Sequence, residues 1–162
     1  MLWWAGPWVS PPGSKTESRQ ATMPKAEATV AEAVSISEAL RKLTFLEGRT
    51  PTTSAAEASK AFSKVSSWGP GEGGVFVGGF EGTSAWERHP RGDELVQIIR
   101  GSTKLTIMRG GNATELSLNA GELTVVPRGL WHRFVSDSGV TVLTVTPQPT
   151  EHSSDERPPD TV

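Results

Sequence analysis

With 162 residues and a net charge of −2, the chain is long enough for one hydrophobic core and has no basic excess. That balance argues against a nucleic-acid or anionic-membrane surface, and the absence of cysteine rules out disulfides and thiolate metal sites. No apolar run approaches the ~20 residues of a membrane-spanning helix, and the lack of cysteine fits a reducing, cytoplasmic location.

Met1 to Trp8 is apolar but short. It has no basic start and contains proline, so it makes a poor signal peptide. Residues 9–27 are rich in Ser, Pro, Lys and Glu and read as disordered. Residues 1–28 are therefore expected to be an extension, with residues 1–22 lying upstream of a second candidate start at Met23. Short helices are expected within 29–69. Ser35 to Leu43 places Ile36, Leu40 and Leu43 on one side. Ser54 to Val65 opens with capping-box spacing between Ser54 and Glu57, and Ala58, Phe62 and Val65 form an apolar stripe. Gly48-Arg49-Thr50-Pro51 reads as the turn between them.

From Gly69-Pro70 onward the pattern changes to short strands. They are expected at Val75–Phe80, Ser84–His89, Leu95–Arg100, Lys104–Met108, Glu115–Leu118, Leu123–Val126, Trp131–Val135 and Val140–Thr146. Gly110-Gly111-Asn112 is a hairpin turn between two of them. Eight short strands with Gly, Pro and Asn turns suit a mainly β jelly-roll barrel over 70–147, with one or two short helices before it. Residues 148–162 read as a flexible polar tail, and His152 within it receives no role.

Two motifs carry chemistry. In the first, Glu87-x-His89 is followed by Glu94 and, after six intervening residues, by Gly101. In the second, Gly121, Pro127, Gly129 and His132 follow in order, with Ser136 beyond. This pair resembles the cupin family, whose motifs are Gly-x5-His-x-His-x(3,4)-Glu-x6-Gly and Gly-x5-Pro-x-Gly-x2-His-x3-Asn. The chain departs in three places. Glu87 stands for the first histidine, Ser136 for the asparagine, and Gly82 lies one position off the leading glycine. The resemblance covers roughly residues 74–147 and implies a single double-stranded β-helix, an RmlC-like barrel that pairs into a homodimer. It also implies one divalent metal held by Glu87, His89, Glu94 and His132.

The residue types fit that expectation. His89 and His132 are neutral near pH 7 and ligate Fe, Mn, Ni, Cu or Zn. Glu94 turns inward if Leu95 covers the outer face. Glu87 is open to three roles: a fourth ligand, a general base, or a bystander to a two-His, one-carboxylate set. A set with two carboxylates is hard and favours Fe or Mn over Ni or Zn. Trp86 and Trp131 face away from the site by alternation, whereas Phe134 and Ser136 share the inward face of His132. Of Arg88, Arg91, Arg128 and Arg133, the turn residues Arg91 and Arg128 are the better candidates to hold an anionic ligand.

The expected function is binding of, or action on, a small polar molecule at that metal. If catalytic, the chain would be a dioxygenase, isomerase or lyase. The alternative is a ligand-binding or structural cupin with a degenerate metal site. A metal-free sugar-nucleotide epimerase of this family needs a tyrosine acid, and the chain has no tyrosine. A helix-turn-helix regulator is disfavoured because the helices before the barrel are short and not basic.

Overall fold

Period-two alternation of apolar and polar residues builds the sheet, and glycines bend it. The computed structural model describes residues 31–69 and 73–159. The elements run α1 (Ile36–Arg41), β1 (Leu46–Arg49), α2 (Ala55–Ala61), β2 (Phe62–Ser67), β3 (Gly74–Thr83), β4 (Trp86–Arg88), β5 (Glu94–Arg109), β6 (Asn112–Asn119), β7 (Leu123–Val126), β8 (His132–Thr146) and β9 (Glu151–Ser153). Among the described residues the nine strands form one sheet, with the path β1-β3-β8-β4-β9 and with β5 carrying β6, β7 and β8. It curls into the expected jelly-roll barrel. The extension expected over 1–28 lies outside the described residues.

Two of the expected strand breaks are bends. Leu95–Arg100 and Lys104–Met108 are one strand, β5, and the two segments flanking Gly139 are one strand, β8. The antiparallel β5–β8 ribbon shifts register between Gly101 and Lys104. Gly101 has φ +72°, and a Cβ there would meet the Gly139 carbonyl oxygen at 2.0 Å. Glycine alone lets the ribbon fold back on itself at this point.

The inward faces pack Phe80, Val96, Ile98, Leu105, Phe134, Val140 and Val142 into the barrel core. Each such side chain contributes about 1.5–3 kcal/mol by leaving water. Trp86, Met108 and Trp131 form a second buried cluster on the opposite face. The Arg88 guanidinium lies 4.7 Å over Trp131 and that of Arg133 lies 4.5 Å over Trp86. The tryptophans thus face away from the inner cavity, as alternation requires.

Three segments differ from expectation. The second helix has its capping box at Ser54 and Glu57 but ends at Ala61 rather than Val65. Phe62 opens β2, which pairs with β3, and its ring packs 6.1 Å from Phe80. A helix this short is marginal in isolation, so ladder pairing and aromatic burial decide its end. The segment read as a turn at Gly48–Arg49 belongs to β1, which runs parallel to β3 with Arg49 opposite Gly82. The tail supplies β9, which pairs with β4. No helix among the described residues is long and apolar enough to cross a membrane.

Candidate metal centre

The folded ribbon brings its two ends together. Glu94 starts β5, His132 starts β8, and His89 follows β4. Glu94 Oε2 lies 3.2 Å from His89 Nε2 and 3.0 Å from His132 Nε2. All three residues are buried, and Glu94 alternates inward with Val96 while Leu95 faces outward, as expected. Glu87 lies beside them. One donor atom from each of Glu87, His89 and His132 falls within a group spanning no more than 4.8 Å.

Neighbours orient each donor. His132 Nδ1 sits 3.2 Å from the Leu130 carbonyl oxygen, which selects the Nδ1–H tautomer and turns the Nε2 lone pair inward. His89 Nδ1 sits 3.2 Å from the Thr150 hydroxyl, contributed by the segment leading into β9. The Thr146 hydroxyl donates to Glu94 Oε1 at 2.7 Å and in turn meets Thr144 Oγ1 at 2.8 Å. That leaves Oε2 to face the two imidazoles.

The inward atoms fit a cation. His89 Nε2, His132 Nε2 and Glu94 Oε2 are buried, and none makes an aligned hydrogen bond. Their close separations are those of an ion pair, but their angles are not those of donor and acceptor. Ligand bonds of about 2.1 Å at right angles would place neighbouring donors about 3.0 Å apart, close to the spacing found. A two-His, one-carboxylate set of this kind can hold a divalent metal ion.

Electrostatics agree with the convergence. Burial alone raises the Glu94 carboxyl, but the contacts and charges of His132 and His89 outweigh it and hold the group at about 2. Burial alone lowers His132, but Glu94, then the Glu87 charge and the Leu130 carbonyl, raise it above 6.5. Both shifts express attraction between the carboxylate and whatever positive charge occupies this centre.

A cavity of about 320 Å³ opens onto these residues. Phe62, Phe76, Phe80, Phe134 and Val142 form its apolar wall, and Ala58 of α2 lies along its rim. Phe134 takes the place expected for it. Ser136 does not line the cavity; its hydroxyl donates to the Ser102 carbonyl. None of the four expected arginines lines it either. Arg88 pairs with Glu151, Arg133 covers Trp86, and the Arg128 backbone N–H donates to Asp93. The arginine in the cavity is Arg49, whose Nη2 donates to Glu87 Oε1 at 3.1 Å. His152, on β9 opposite Glu87, also lines it. No local pattern marks Arg49 or His152, because both reach the cavity through strand pairing with distant segments.

Residues 77–146 match the family model of the cupin domain. This barrel is a cupin domain. Among curated proteins no sequence matches the chain. Solved structures are similar to the chain at low identity. A Neisseria meningitidis protein has 14% identity and a TM-score of 0.52, covering 72% of this chain and 100% of its own. A cupin-2 domain protein of Shewanella frigidimarina has 20% identity and a TM-score of 0.44, covering 53% of this chain and 80% of its own. The cupin motif residues fall within the matched segment, whereas Arg49, Thr150 and His152 fall outside it.

Proposed function

We propose that this cupin binds one divalent metal ion through His89, Glu94 and His132, with Glu87 as a fourth donor, and presents it to a small molecule in the adjoining cavity. The observation that carries this reading is the convergence of three buried donor atoms that lack aligned hydrogen bonds. Fe or Mn is favoured, because carboxylate oxygens make the donor set hard. When bound, such an ion supplies Lewis acidity or a site for activating a ligand oxygen. The chain's own residues do the rest. Leu130 and Thr150 hold the imidazoles, Thr146 holds Glu94, and the phenylalanine wall excludes water from the cavity's inner end.

Metal content measured by mass spectrometry on purified protein tests this. About one ion per chain is expected, lost in a His89→Ala/His132→Ala variant that keeps the β-sheet circular dichroism of the parent. No ion after reloading with Fe(II) or Mn(II) would overturn the reading. Substrate-dependent oxygen uptake or product formation then separates turnover (a dioxygenase, isomerase or lyase) from binding alone. The reading carries with it a homodimer in the cytoplasm, and light scattering tests the dimer.

A further inference from the structure

The cavity holds a cation outside the metal set. Arg49 comes from β1, ahead of the segment that matches the cupin domain. Its guanidinium packs over two aromatic faces, 4.6 Å from the Phe80 ring centroid and 5.3 Å from that of Phe62. Its side chain is 11% exposed. Among the described residues its guanidinium makes a single hydrogen bond, to Glu87 Oε1. An arginine offers five N–H donors in a fixed plane, so most of this fork is unused and borders the cavity.

The fold is built to put Arg49 there. Gly82 faces Arg49 across the β1–β3 ladder and has φ +109°. A Cβ at Gly82 would meet the Arg49 carbonyl oxygen at 2.2 Å and the Arg49 nitrogen at 2.7 Å. The Arg49 backbone can approach β3 this closely only because residue 82 has no side chain. Contact with both rings, the Glu87 pairing and a fixed backbone pre-organise the guanidinium, so a ligand that uses it loses little entropy in doing so.

Charge then selects the ligand. Among the described residues the carboxylates and guanidinium lining the cavity are those of Glu87, Glu94 and Arg49. Two carboxylates and one guanidinium leave one net negative charge, and a divalent ion reverses it to one net positive. The loaded cavity therefore favours a single negative charge at its Arg49 end and an apolar body along Phe76, Phe134 and Val142.

We infer that Arg49 is the anchor for a small monocarboxylate with an apolar body, taken up by the metal-loaded cavity. This rests on the metal reading above. The incoming carboxylate shares the guanidinium fork with Glu87 and directs the rest of the ligand toward the His89–Glu94–His132 centre. A neutral isostere leaves the spare donors of Arg49 desolvated and unmatched, which costs affinity.

Phenylacetate and its neutral isostere phenylacetamide serve as probes, titrated calorimetrically into the full chain after its Mn(II) content has been measured. With about one ion per chain, phenylacetate is expected to bind at least tenfold more tightly than phenylacetamide. Arg49→Gln should retain its metal and abolish that preference, and Arg49→Lys should restore part of it. Equal affinity of the parent for the two probes would overturn the proposal while leaving the metal reading intact. So would an undiminished preference in a metal-loaded Arg49→Gln. If Arg49→Gln fails to fold, the comparison of the two probes on the parent still decides. A parent that takes up no ion fails at the first step, overturning the metal reading and with it the charge balance behind the anchor.

Discussion

Glu94 and His132 sit at opposite ends of one β-ribbon, yet Oε2 of the first is 3.0 Å from Nε2 of the second. His132 pairs with Ile107, whereas Glu94 begins the same strand beside the pairing of Leu95 with Val145. A straight strand from residue 94 to residue 107 would span about 40 Å. The bend at Gly101 and Gly139 closes that distance and makes the site.

Gly101→Ala should therefore be severe. The substitution adds a Cβ that overlaps the backbone of Gly139 and forces an L residue to hold φ +72°. A loss of about 3 kcal/mol or more is expected in chemical denaturation, with metal uptake falling in step. A variant with parental stability would show that the bend does not depend on glycine.

Thr146→Val removes the hydroxyl that donates to Glu94 Oε1 and changes side-chain volume little. Partners that orient a ligand typically govern metal affinity by 10–100-fold. We expect affinity for Mn(II) to fall about tenfold with the fold retained, measured by competition with a chelating dye. Unchanged affinity would mean that Glu94 is held by its imidazole contacts alone.

Stability should follow pH in a way that reverses when metal is added. Glu94 is depressed from 4.5 to about 2, because its histidine contacts outweigh the raising effect of burial. Its contribution is present above 4.5 and is lost as pH falls toward about 2. His132 is raised above 6.5, because Glu94 outweighs the lowering effect of burial. Its contribution is full below 6.5 and is lost as pH rises through the raised value. Metal-free protein should thus lose Tm as pH climbs past 6.5. Added Mn(II) needs neutral imidazoles, so the rise in Tm that it causes should grow over the same interval. A pH series of thermal melts checks this, and a metal-induced rise that does not vary with pH counts against it.

Gly82→Ala should detach Arg49 without touching a metal donor. The added Cβ would overlap the Arg49 backbone. Expected results are a loss of about 1–3 kcal/mol in stability, near-parental Mn(II) content, and loss of the preference for phenylacetate over phenylacetamide. Retention of that preference would show that β1 tolerates the displacement.

The residues of the proposed metal centre were legible as candidates because they lie in short local patterns. Glu87 and His89 share a face by strand alternation, and Glu94 turns inward because Leu95 and Val96 follow in a period of two. Ser35 and Ser54 mark helix starts through bonds within a single turn. The eight strand segments were readable for the same reason, since alternation and turn glycines act over a few residues. What tertiary structure decided acts over longer separations. Arg49 meets Glu87 across 38 residues, Thr146 meets Glu94 across 52, and Thr150 meets His89 across 61. Phe62 leaves its helical stripe because β3 offers it a ladder partner at Gly78. Such contacts leave no periodic trace in a sequence. They arise from sheet register and from the fold of the β5–β8 ribbon, which together place the Arg49 cation beside candidate donors whose spacing the order of residues already sets.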